Sequence, residues 1–175
     1  MKFRHGFVSN SSSSSFIVFG DSFKRDKKAH IPENAYTIDP DSNQYEIILP
    51  NRRYTYEFGW EHCVYYTVMD KLNFAVIQAN YLEGNPIRYE ECMNMIESAI
   101  RKDFEETHPG EFGRDLEIVY DFEPQGFDIG PYIDHQSSAT EGENIEMFDS
   151  DDDMDNFLFN AETYIQGDND NDEYY

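Results

Sequence analysis

The residues best placed by type to do chemistry are His135 and Ser137, in the stretch Tyr132-Ile133-Asp134-His135-Gln136-Ser137. An imidazole near a carboxylate and a hydroxyl has the makings of a base beside a nucleophile. Backbone geometry narrows this. In a strand, successive side chains point to opposite faces, so Asp134 projects with Tyr132 and Gln136, and His135 with Ile133 and Ser137. The usable pair is therefore His135 with Ser137, or His135 with a carboxylate brought from elsewhere. A histidine sharing a face with Ile133 equally fits a half-buried structural side chain.

A second group of reactive atoms lies in Gly6-Phe7-Val8-Ser9-Asn10 and the run Ser11 to Ser15, followed by the apolar Phe16-Ile17-Val18-Phe19. Hydroxyls such as those of Ser11, Ser12 and Ser13, with free backbone N–H groups entering a strand, could hold an anion. The competing reading is a solvated arm, and position near a chain end favours it. A nucleotide P-loop is excluded, because the glycine spacing and the Lys-Ser/Thr ending are absent.

The third group is acidic: Asp149, Asp151, Asp152, Asp153 and Asp155, then Asp168-Asn169-Asp170-Asn171-Asp172. The last resembles the start of a calcium loop but lacks the sixth-position Gly and twelfth-position Glu, so no closed calcium site, and no metal or other cofactor, is expected. The net charge of −23 is unevenly placed. Residues 1–102 hold 12 Lys and Arg against 13 Asp and Glu, net −1, whereas residues 103–175 hold 1 against 23, net −22. Direct nucleic-acid binding is thus opposed by one half and weakly supported by the other. The basic cluster Lys24-Arg25-Asp26-Lys27-Lys28 reads as a solvated loop.

Other chemistries lack their signatures. There is no Gly-x-Ser-x-Gly elbow, His-Glu-x-x-His helix or dinucleotide fingerprint. Two cysteines, Cys63 and Cys92, are too few for a disulfide scaffold, lack zinc spacing and read as buried small apolar residues in a reducing compartment. Serines interrupt the apolar lead where a signal peptide would need continuity, and no window is long and apolar enough for a membrane span.

These groups need a scaffold, and the expected one is α+β. It comprises one domain over residues 1–167 with a serine-rich leader over 1–15, and a mobile acidic tail over 168–175. Val64, Val68, Leu72, Ala75, Val76 and Ala79 recur at helical spacing, predicting an amphipathic helix over Glu61 to Leu82. Asn85-Pro86 opens a second, to about Thr107, whose apolar stripe runs through Cys92, Met93, Ile96, Ile100 and Phe104. The short link makes them an antiparallel hairpin on one face of a mostly antiparallel sheet. For that sheet the sequence offers Phe16–Phe19 as a central strand, Tyr36–Ile38, a hairpin of Tyr45–Leu49 with Arg53–Phe58, Leu116–Phe122, Tyr132–Gln136 and Glu162–Gln166. Asp151–Phe159 reads as a short helix burying Met154, Phe157 and Leu158.

The lead Met1-Lys2-Phe3-Arg4-His5-Gly6-Phe7-Val8-Ser9-Asn10, with the serines and Phe16, resembles the opening of a set of small uncharacterised proteins of tailed bacteriophages and some bacteria. Tyr132 to Ser137, Phe157 to Asn160 and Tyr164 to Asp170 are similar to segments of the same set. The resemblance implies a phage origin and a shared fold, and carries no activity. With the charge asymmetry it makes the leading expectation a non-enzymatic binding protein of the host cytoplasm or the virion. It would set Asp149, Asp151, Asp152, Asp153 and Asp155, together with Ser11, Ser12 and Ser13, against a basic host or viral protein. In its strongest form it is a nucleic-acid mimic. The alternative is a small nucleotide-directed hydrolase or transferase with His135 as base. The serine run, Tyr132 to Ser137 and Asn160 to Asn169 are expected to converge.

Overall fold

A computed structural model of the chain describes residues 3–5, 13–19, 28–49, 57–58, 63–80, 86–110, 115–120, 132–133 and 146–169. The first long helix, α1, runs from Val68 to Asn80, not from Glu61. Thr67 sets its start: Asp70 N–H donates to Thr67 Oγ1 at 3.1 Å and Thr67 N–H donates back to Asp70 Oδ2 at 3.2 Å, a reciprocal cap that satisfies two otherwise orphaned donors. Upstream, the β-branched and aromatic run Cys63–Tyr65 is a strand instead. The helix has no wet face between Lys71 and Ala79, where every residue is buried. It is packed against both of the other helices and against two strands, so it carries Lys71, Asn73 and Gln78 into the interior with its apolar residues.

Helix α2, Pro86–Thr107, follows the expected stripe and buries Cys92, Met93, Ile96, Ala99, Ile100 and Phe104, with Asp103 in the same row. His108 N–H bonds back to Phe104 O at 2.9 Å, and Gly110 takes φ 117° just beyond, where a side chain would be strained. Helix α3, Asp151–Phe159, is capped by Ser150, which accepts from Asp153 N–H. It buries Met154, Phe157 and Leu158 completely, as its sequence requires. The three helices touch one another pairwise. The link expected to make α1 and α2 a hairpin, residues 81–85, lies outside the described residues.

Nine strands among the described residues form three small sheets rather than one. The first is antiparallel, in the order β1 (Phe3–His5), β2 (Ser13–Phe19), β9 (Tyr164–Asn169), β6 (Cys63–Tyr65). Phe16–Phe19 is thus central, as its unbroken apolar character implies. In the second sheet β4 (Tyr45–Leu49) lies between β3 (Tyr36–Ile38), antiparallel, and β7 (Leu116–Tyr120), parallel. The third pairs β5 (Glu57–Phe58) with β8 (Tyr132–Ile133) in parallel. Four of these six pairings are antiparallel, and in place of the single sheet expected there are small sheets of mixed direction; β4 and β7 run parallel because α1 and α2 intervene between them and provide the long crossover that parallel pairing needs. Of the expected hairpin of Tyr45–Leu49 with Arg53–Phe58, residues 50–56 lie outside the described residues; at its far end Tyr45 is flanked by β3 and β7 and Glu57–Phe58 pairs with β8, so that end of the hairpin is not formed.

Three of the five serines in the run Ser11 to Ser15 are strand, and the other two lie outside the described residues. Ser13, Ser14 and Ser15 pair with Asn169, Asp168 and Gly167, so β9 continues two residues into the stretch expected as tail. The serines and the Asn160 to Asn169 region therefore meet in one ladder, while β8 joins a different sheet.

Candidate functional site

Of the residues singled out by sequence, His135, Ser137, Ser11 and Ser12 lie outside the described residues, and Ser13 opens β2 opposite Asn169. The acidic group divides. Asp149, Asp151 and Asp152 are exposed at the start of α3. Asp153 is drawn into the cap, its N–H donating to Ser150 Oγ at 3.2 Å. Asp155 is 8% exposed and held by the Lys102 ammonium. That hydrogen bond raises the pKa of Lys102 above its ordinary value. Three of the five carboxylates, those of Asp149, Asp151 and Asp152, therefore face outward.

The densest polar chemistry lies elsewhere, where the segment after residue 27 crosses the end of α2. Asp103, one turn before the helix ends, has a side chain with no exposure at all. His30 Nδ1 lies 2.7 Å from its Oδ1, and Ile31 N–H donates to its Oδ2 at 2.9 Å. Because an ionised carboxylate only accepts, the imidazole proton in this contact sits on Nδ1. Lys28 Nζ is 3.5 Å from the same Oδ1, bonds to Glu106 one turn along α2, and stands 4.8 Å from the centre of the Phe159 ring. The Lys28 hydrogen bond holds the Glu106 carboxyl below its ordinary value. Lys28 is thus a nearly buried ion-pair partner, only 9% exposed, and the reading of a solvated basic loop fails at this residue. Its backbone bridges Asn160, and Ala29 N–H reaches Phe159 O at 2.7 Å, which anchors the segment to the end of α3.

Aromatic rings wall one side. Phe104 and His108 stack at 4.3 Å between centres, and Tyr36 and Tyr45 meet both edge-on at 5.0 to 5.3 Å. The Tyr36 hydroxyl is buried without a hydrogen-bond partner among the described residues. Burial first, then the Asp103 and Glu33 charges, raise its pKa. His108 Nε2 lies 3.3 Å from Glu33 Oε2 but out of line for a hydrogen bond.

A second buried charge sits in α1. Lys71 is fully buried, its Nζ donating to the carbonyls of Asn160 at 3.0 Å and Thr163 at 3.3 Å, in the turn that joins α3 to β9. Burial lowers its pKa to about 8 against a weaker opposing pull from Asp70.

Two kinds of chemistry are open to the Lys28, His30, Asp103 and Glu106 cluster. A buried carboxylate that fixes a half-exposed imidazole can orient it as a base. One imidazole nitrogen and two carboxylates within 4.8 Å of one another can also ligate a cation. Asp103 was legible in part: it stands three after Ile100 and seven after Ile96, a carboxylate on the core face of a helix. Nothing in its spacing pointed to His30, which approaches from 73 positions away. No family model, curated protein or solved structure matches the chain.

Proposed function

We propose that the protein is a non-enzymatic binding protein that sets the acidic start of α3 against a basic surface of a host or viral protein. The observation that carries this is the exposure of Asp151 and Asp152 in the first turn of α3, and of Asp149 just before its cap, on a helix whose underside is anchored by Met154, Phe157, Leu158 and Phe159 at 0% exposure. A fixed support matters, because charges held on a rigid element lose little freedom on binding. The surrounding net charge of −22 in residues 103–175 adds long-range attraction for a cationic partner. The resemblance to tailed-phage proteins directs the search to bacterial lysates, and a nucleic-acid-binding partner would make the acidic face a mimic of phosphates.

The test is capture of a basic protein by the full chain at low and high salt, with Asp149, Asp151 and Asp152 changed together to Asn for comparison. Capture should fall steeply between about 0.05 and 0.5 M salt, as the screening length shrinks, and should be lost in the triple variant. Capture indifferent to salt, or unchanged by the three substitutions, rules the reading out.

The rival reading, a nucleotide-directed hydrolase or transferase, gains from one observation: an imidazole held by a buried carboxylate, at His30 rather than His135. If nucleotide turnover is found, His30→Gln should remove it and His135→Gln should leave it; the reverse result would return the role to His135.

A further inference from the structure

Four side chains meet at the end of α2 although nothing in the acidic-face reading uses them. We propose that His30, Asp103 and Glu106 form a binding site for a divalent transition-metal ion, with the Lys28 ammonium as the tethered cation that competes for the same place. One candidate ligand atom from each of the three residues lies within 4.8 Å of the others. Asp103 and Glu106 stand one turn apart on α2, and Ile31 N–H fixes the Asp103 carboxylate at 2.9 Å, as outer partners fix metal ligands. Access is from solvent: the His30 and Glu106 side chains are 43% and 45% exposed over a fully buried Asp103.

The donor set chooses the metal. One imidazole nitrogen with two carboxylates suits Zn²⁺ or Mn²⁺; all-oxygen ligation would favour Ca²⁺ or Mg²⁺, and thiolates would favour softer ions. Three protein ligands leave further positions for water or a bound molecule. To ligate through Nδ1, the neutral His30 ring takes the other tautomer, with its proton on Nε2 instead of toward Asp103. Nδ1 and Asp103 Oδ1, now 2.7 Å apart, separate by about half an ångström to share a tetrahedral ion.

Lys28 shows that the place attracts cations, since its ammonium contacts both carboxylates. One ammonium opposite two carboxylates leaves a negative charge uncompensated when His30 is neutral, and a divalent ion would balance the pair. Lys28 has a flexible four-carbon stem that can swing outward, giving up its contact with the Phe159 ring. The competition makes wild-type affinity modest and gives the proposal a test that runs in both directions.

That test is calorimetric titration of the full chain with Zn²⁺ and with Mn²⁺ at neutral pH, alongside Lys28→Met, His30→Ala and the control Glu105→Ala, an exposed α2 residue outside the cluster. One equivalent should bind. Lys28→Met should tighten binding by about tenfold, and His30→Ala should weaken it by tenfold or more. Glu105→Ala should match the wild type. Circular dichroism checks that each variant is folded, and Mn²⁺ broadening of the His30 ring signals in the wild type gives a readout free of substitution. Binding unaffected by His30→Ala, no tightening in a folded Lys28→Met, or His30 signals that Mn²⁺ leaves sharp would each overturn the proposal. Metal binding and charge-led capture are separable, since the triple Asn variant at Asp149, Asp151 and Asp152 leaves these ligands intact.

Discussion

The ammonium of Lys71, in the middle of α1, donates to the carbonyl of Asn160 across 89 positions of sequence, and no carboxylate accompanies it in that contact. Burial sets its pKa at about 8, so the folded chain releases this proton well before the unfolded chain, which keeps it to the ordinary value of 10.5. Within that window the unfolded state binds more protons, so stability rises with pH. The span corresponds to on the order of 3 kcal/mol. Above about pH 10 the sign reverses, because buried Tyr36 and half-buried Tyr120 hold their protons in the fold and lose them when unfolded. Urea unfolding from pH 7.5 to 11 should therefore show a maximum near pH 9 to 10. Lys71→Met should flatten the rising limb; the same limb in that variant would assign it to another group.

Asp103 accepts from His30 and Ile31 and lies beside Lys28 while fully buried. Replacing it by Ala strands these partners, and breaking a buried ionic cluster costs about 3 to 5 kcal/mol. Equilibrium denaturation should show a loss of that size, and a change below about 1 kcal/mol would mean that water replaces the carboxylate at little cost.

Ser150 caps α3 by accepting from Asp153 N–H at 3.2 Å. Ser150→Ala should lower stability by about 1 kcal/mol, and Ser150→Gly by less, since glycine is the better cap of the two. Equal losses in the two variants would place the role of Ser150 outside capping.

Both polar atoms of the Gln78 side chain are buried without a hydrogen-bond partner among the described residues. An unpaired buried amide costs roughly 1 to 3 kcal/mol, so Gln78→Met, close in shape, should raise the melting temperature. A lowered melting temperature would show that the amide is satisfied in the folded chain.

Elements defined by neighbours in sequence were legible. The stripe of α2, the Asp-rich start and apolar underside of α3, and the central position of Phe16–Phe19 all follow from local pattern. What escaped depends on distant partners. Val64 and Tyr65 fit a helical stripe as well as a strand, and it is pairing with Gln166 and Ile165 that decides. The parallel pairing of β4 with β7 was hidden because strand patterning carries no direction. The polar cluster was hidden because Lys28 and His30 look like ordinary loop residues until α2 brings Asp103 and Glu106 against them. The five aspartates were visible as a group, but not that Ser150 and Lys102 would engage two of them.

The ladder between β2 and β9 has a consequence for the order of events during synthesis. On one edge β2 takes β1, but on the other Ser13–Val18 pairs with residues 164–169, so that edge stays open until residues far along the chain have been made. Until residue 169 emerges from the ribosome, the apolar Phe16-Ile17-Val18-Phe19 segment lacks its β9 partner, and contacts of such long sequence separation slow folding. A run of serines directly before this segment keeps its leading half hydrophilic and so limits association between nascent chains.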